Sequence, residues 1–190
     1  MAPGHSRVFF ALWPDVVTRR ALAAASRRVH ERLGGKATRP DTLHLTLVFV
    51  GDVDDARLPD LHGAAARVQA PAFDLLLDRP DCWRHNQVAH LGPSRTPPAL
   101  LNLVGELEAH LAAAGVAFDE RPYRAHVTLV RKADCGRMTV GGGDGEMGNR
   151  EMENPPTAPI PWAVGDFLLV KSSLRPEGAR YEQLGRWPLL

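Results

Sequence analysis

Leu43-His44-Leu45-Thr46-Leu47-Val48-Phe49-Val50-Gly51-Asp52 is the stretch that decides the fold. Side chains of a β-strand alternate between two faces. Here His44, Thr46, Val48 and Val50 share one face, and Leu43, Leu45, Leu47 and Phe49 share the other. The leucine face can supply a core, while the other sets an imidazole beside a hydroxyl. The pattern returns 82 positions after His44, in Ala125-His126-Val127-Thr128-Leu129-Val130-Arg131. His126 and Thr128 again share a face, with Val127 and Leu129 opposite. A Thr two residues from a His can aim its hydroxyl and the imidazole at one group. Two such pairs facing each other would offer two nitrogens and two hydroxyls to one small, symmetric anion, and a phosphate fits. With 8 His, 8 Thr and 24 Leu in 190 residues, composition alone yields about 0.04 His-x-Thr-Leu matches. Two copies therefore point to a shared role.

Around these strands, Val8–Trp13 reads as a strand, and Asp15 as the cap of a helix that Gly34-Gly35 ends. A second helix is expected over 54–69, with Pro59 in its first turn. Phe73–Leu77 is a short strand, and 83–91 reads as one strand or as two that form a hairpin around His85-Asn86. The clearest amphipathic helix spans 99–114, with Leu100, Leu103, Leu107 and Leu111 on one face. Residues 133–161, rich in Gly and Pro, read as a flexible insertion in a single bilobal domain covering 1–190. Val164–Ser173 and Tyr181–Trp187 close the chain as strands. Strands and helices alternate without a uniform βαβ period, which favours an α+β fold with antiparallel sheets. The order strand, helix, His-x-Thr-Leu occurs twice, from Val8 to His44 and from Val88 to His126, a faint sign of duplication.

Composition narrows the function. The 23 Lys+Arg nearly balance the 22 Asp+Glu, giving a net charge of +1. A protein that tracks many phosphates of long nucleic acid shows a basic excess, so recognition is expected to be local. No run approaches the roughly 20 apolar residues of a membrane span, and a cytoplasmic monomer is expected. Cys82 and Cys135 are too few for a disulfide framework or a four-thiolate zinc site, and read as free thiols. His85 and His90 near Asp81, and His62 after Asp60, make no His-x-x-x-His pair, so neither metal nor cofactor is expected. The glycines of 141–148 lack the Gly-Lys-Ser/Thr of a phosphate loop. Trp83, Tyr123 and Trp162 are candidates to stack on a base, though each also reads as a packing residue. Arg39, Arg84, Arg121 and Arg124 are candidates to border the site, Arg121 foremost.

The doubled motif resembles that of the 2H phosphoesterases, defined by two His-x-Thr/Ser-x motifs. Within them, Arg7–Leu12, Leu43–Val53 and Arg121–Arg131 look like the RNA 2′,3′-cyclic phosphodiesterases, historically called 2′-5′ RNA ligases. Ala125 departs from the family's common Pro. The resemblance implies two lobes, each an antiparallel sheet with outer helices, around a central cleft. It implies metal-independent opening of an RNA 2′,3′-cyclic phosphate end, or a small cyclic nucleotide, to a 2′-phosphomonoester. On matching positions, His44 becomes the proton donor and His126 the proton acceptor. Thr46 and Thr128 become phosphate ligands, and so does Arg131. By parity Arg131 lies off the His126–Thr128 face, and it reaches a phosphate only if the strand ends, bulges or twists there. Alternatives are a 2H enzyme for another cyclic phosphate or a 2′-5′ linkage, and a non-catalytic RNA-end binding module.

Overall fold

Local chemistry sets most element boundaries. The computed structural model describes residues 4–138, 158–175 and 178–190. Strand β1 (His5–Leu12) gives way to helix α1 (Val16–Leu33), whose cap Asp15 accepts from the Thr18 amide at 2.8 Å. That bond satisfies one of the free amides that open a helix. Gly34 (φ +64°) ends α1. Strands β2 (Lys36–Ala37) and β3 (Leu45–Asp54) follow. Helix α2 (Leu58–Ala65) is shorter than the expected 54–69, and a 3-10 turn (Asp55–Arg57) precedes it. Pro59 does sit in its first turn, where a missing amide costs nothing.

Next come β4 (Phe73–Leu77) and the hairpin of β5 (Arg79–Trp83) and β6 (Val88–Gly92). Helix α3 (Pro98–Ala113) buries Leu100, Leu103, Leu107 and Leu111, the stripe read from the sequence. Then follow β7 (Val127–Arg131), β8 (Ile160–Val164), β9 (Asp166–Arg175) and β10 (Gly178–Pro188). The single strand expected over 164–173 is thus two, separated at Gly165, with β8 pairing β4 and β9 pairing β1. Of the expected insertion 133–161, residues 139–157, including the 141–148 glycines, lie outside the described residues. Its described ends belong to the fold: Asp134 caps a 3-10 turn (Cys135–Arg137), and Ile160 opens β8.

Among the described residues all strand pairings are antiparallel, and the class is α+β. One run of strands goes β10–β9–β1–β3, and another β7–β6–β5 with β2 beside β7. The two runs join at a single pair, Leu45 with Val127. Helix α1 packs on β7 and α3 on β3, so each helix covers the strand of the other motif. Their apolar stripes merge with Val8, Phe10, Leu12 and Leu45 into the main core. The opposite face of β1 and β9 carries a smaller cluster of Phe9, Ala11, Leu168 and Val170. Among the described residues no helix is long and apolar enough to cross a membrane.

The free-thiol reading is overturned, because Cys82 and Cys135 form a disulfide with a Cα–Cα distance of 5.7 Å. The hairpin places Cys82 next to Ala89, which pairs with Val130, and the chain after β7 brings Cys135 alongside. A separation of 53 residues leaves no local trace in the sequence. Cross-linking a loop of this length restricts the unfolded chain, so Cys82→Ala with Cys135→Ala is expected to lower stability by about 2–4 kcal/mol. Thermal melts of the oxidised protein and the double variant check this, and coincident midpoints would count against the bond.

Candidate active site

Leu45 and Val127 are equivalent positions, each following its motif histidine. Pairing them across an antiparallel ladder places a local two-fold axis between the motifs. Both are fully buried in the core, so the residues flanking them turn to the other face. Carried one step either way, the register sets His44 across from Thr128 and Thr46 across from His126. All four line one cavity of about 560 Å³, together with Arg131.

Arg131 reaches this face through a bulge. Strand β7 slips against β6 so that His90 pairs with Thr128 but Ala89 with Val130, leaving Leu129 as the extra residue. Leu129 and Val130 are then both buried, and the parity is restored for Arg131. The first motif does the same. Phe10 pairs with Val48 and Ala11 with Thr46, so Leu47 is extra, Val48 joins the core and Phe49 turns to the cavity. This corrects the simple alternation expected over 43–50. The Leu129 carbonyl accepts from Ser26 Oγ at 2.7 Å and from the Thr38 amide at 2.8 Å. Gly35 (φ +84°) lets the chain pass here, since a Cβ would sit 2.5 Å from the Arg131 carbonyl oxygen.

The imidazoles are held alike. His44 Nδ1 lies 2.7 Å from the Thr42 carbonyl, and His126 Nδ1 lies 2.8 Å from the Arg124 carbonyl. A carbonyl only accepts, so each Nδ1 carries the hydrogen and donates it. In each neutral ring Nε2 is therefore free to take a proton. His44 stacks on Trp13 (5.5 Å between centroids, 8° between planes), meets the edge of Tyr181 at 5.2 Å and leans on Phe9 at 4.9 Å. His126 meets Trp83 at 4.6 Å and His90 at 5.4 Å. Burial pulls the pKa of His44 down to about 4; the Thr42 carbonyl opposes this, and the charges of His126 and Arg131 add to it. His126 is lowered chiefly by burial, with Arg131 adding and the Arg124 carbonyl opposing. His90, buried with neither ring nitrogen bonded among the described residues, is likewise held neutral by burial, its pKa about 4.

Other sequence candidates fall elsewhere. Trp162 is buried on β8, Tyr123 packs against the core, and Trp83 backs His126 without lining the cavity. Arg121 is exposed and bound to Asp119, with Nε 2.8 Å from Oδ1, and does not line the cavity. Arg84 and Arg124 are exposed and also lie off the cavity lining. Arg39 does line it, with its guanidinium engaged 2.8 Å from Asp41 Oδ2. The sequence reading missed the aromatic cage of Phe9, Trp13 and Tyr181. Its one visible signal is that β1 is apolar on both faces, so its second face also needs a cover.

Comparison with known proteins agrees with this geometry. The family model described as LigT like Phosphoesterase matches residues 12–90 and again 91–181, so each His-x-Thr-Leu falls in its own match. The RNA 2′,3′-cyclic phosphodiesterase of Escherichia coli (strain K12) is 32% identical over 155 residues, which is 82% of this chain and 80% of that protein. Its namesake from Thermus thermophilus is 30% identical over 195 residues, covering 96% of this chain and 90% of that protein. The crystal structure of E. coli LigT complexed with 3′-AMP superimposes with a TM-score of 0.78 at 28% identity, covering 98% of this chain and 99% of that one. Doubled motif, shared architecture and matched sequence coincide over nearly the whole length, and the chain belongs to the LigT-like phosphoesterases of the 2H group.

Proposed function

We propose that this chain hydrolyses RNA 2′,3′-cyclic phosphodiester ends, or small cyclic nucleotides, to 2′-phosphomonoesters. The observation that carries the reading is the two-fold arrangement of two His–Thr pairs, each with Nδ1 tied to a backbone carbonyl and Nε2 free. The names of the relatives support the substrate class. In this mechanism His126 Nε2 takes a proton from water as its oxygen attacks phosphorus. The bond from phosphorus to the 3′-oxygen breaks, and His44 Nε2–H protonates that oxygen. Thr46 and Thr128 donate to the non-bridging oxygens, and Arg131 faces the charge that builds on them. Both proton transfers belong to imidazoles, so no metal is required. Both motifs contribute to one cavity within one chain, which supports a single bilobal unit whose site needs no second copy.

In the free enzyme His44 is neutral near pH 7, so the donor must acquire its proton with the substrate. The negative charge of the cyclic phosphate favours the imidazolium. The profile of kcat/KM reports the ionisations of the free enzyme, and the reacting complex carries one proton on His44 and none on His126. Because both pKa values are lowered from 6.5, kcat/KM is expected to peak on the acid side of 6.5 and to fall as pH rises. A maximum at alkaline pH would reject the assignment. The direct test uses an RNA with a 2′,3′-cyclic end in the presence of a chelator. A 2′-phosphate product is expected; a 3′-phosphate, or no turnover, overturns the proposal.

A further inference from the structure

The net charge of +1 conceals a strong local imbalance. Arg7, Lys36, Arg39 and Arg131 line the cavity, and no carboxylate does among the described residues. Of these four cations the hydrolytic mechanism uses only Arg131. Arg7 belongs to a row that crosses three strands. It pairs with Ser172 of β9, and Ser172 pairs in turn with Tyr181 of β10. Neighbouring strands lie about 4.8 Å apart, and all three residues line the cavity. The row thus presents a guanidinium, a hydroxyl and a phenol side by side on one face. Phe49 supports the guanidinium, with the Arg7 Cζ 5.0 Å from the ring centroid. No carboxylate lies within ion-pair distance of Arg7 among the described residues. Tyr181 lies within the field of Arg7, Arg39 and Arg131 together.

The row leads away from His44: the Tyr181 ring lies 5.2 Å from the imidazole, while Arg7 stands farther along β1. Along β1, Ala11 is opposite Thr46, Phe9 is opposite Phe49, and Arg7 comes next on the same face. Each two-residue step is about 6.6 Å, so the Arg7 Cα lies roughly 13 Å along the strand from the level of Thr46, a span of which an extended Arg side chain can cover about half. Between them Phe9 and Phe49 form an apolar stretch of the cavity lining. Tyr181 spans the gap, because its ring also meets His44.

We propose that Arg7, Ser172 and Tyr181 form a second anion site for a phosphate on the 5′-oxygen of the terminal nucleoside, whose cyclic phosphate sits between the histidines. The proposal rests on the hydrolase reading and deepens it. The preferred substrate is an oligonucleotide end, or a 5′-phosphorylated nucleoside cyclic phosphate, over a nucleoside cyclic phosphate with a free 5′-hydroxyl. Guanidinium and hydroxyl donors suit the non-bridging oxygens of such a phosphate.

Binding tests this without turnover. In calorimetric titration of the full chain, a nucleoside 3′,5′-bisphosphate is expected to bind at least about tenfold more tightly than the 3′-monophosphate, a ratio that ordinary charge-assisted bonds supply. Arg7→Ala and Ser172→Ala should each shrink the ratio, Arg7→Ala to about twofold or less, with Arg7→Lys retaining part of it. A wild-type ratio near one, or one untouched by Arg7→Ala, overturns the second site and leaves the hydrolase reading standing. The same contrast is expected in turnover: a 5′-phosphate should raise kcat/KM mainly through KM. Absence of turnover on either substrate, with the binding ratio intact, rejects the hydrolase reading and retains the anion site.

Discussion

His126→Ala and His44→Ala are each expected to lower kcat on a nucleoside 2′,3′-cyclic phosphate by about 10²–10⁴-fold, the usual worth of a positioned acid or base. The double variant should lose little more than the worse single one, because residues that act in one step are not additive. The two variants differ in their structural consequences. His126 is tied to the Arg124 carbonyl and backed by Trp83 and His90, which remain packed against one another at 4.2 Å when it is removed. His44 is enclosed by Phe9, Trp13 and Tyr181, and its loss opens a gap among three aromatic rings. His44→Gln fills more of that gap and should be as inactive as His44→Ala while melting closer to wild type. Calorimetric binding of a nucleoside 3′-monophosphate separates lost chemistry from a lost site. Retention of near-normal turnover in either histidine variant would remove that residue from the mechanism.

The parts of this site that follow from period-two alternation were legible in the chain. Leu45 and Val127 are buried, so the His and Thr beside each must face the other way, and both sets line one cavity. Strand–helix–strand order and the caps Asp15 and Gly34 were legible for the same reason, since each depends on neighbours in sequence. What the sequence concealed depends on partners far along the chain. A bulge exists only relative to a second strand, so nothing in Thr128-Leu129-Val130-Arg131 tells where β6 slips, although the parity of Arg131 showed that some irregularity was needed. The same holds for Leu47 against β1, which sends Phe49 to the cavity and Val48 to the core. Tyr181 reaches His44 because β10 pairs β9 and β9 pairs β1, a juxtaposition of the last strand with the first. Cys82 and Cys135 meet through the order β5–β6–β7. Arg121, favoured for its place beside the second motif, is bound to Asp119 two residues away instead.

Arg131→Ala is the second large effect, an expected fall in kcat/KM of about 10²–10³-fold, comparable to removing one donor from an oxyanion site. The bulge at Leu129 turns its side chain to the cavity, and its backbone is fixed by pairing with Lys36 across β2 and Val88 across β6. Its charge lowers the pKa of both His44 and His126. That gives a signature that a structural role lacks. Removing a nearby cation makes each imidazole easier to protonate, so both pKa values rise. The kcat/KM profile of Arg131→Ala should therefore be lower at every pH, with its maximum displaced toward alkaline pH relative to wild type. Arg131→Lys keeps the charge but loses the paired donors of the guanidinium. It should leave the maximum near its wild-type position and recover only part of the rate. A fall in rate with an unmoved profile in Arg131→Ala would mean that Arg131 acts by holding the end of β7 in place, without bringing its charge to bear on the histidines.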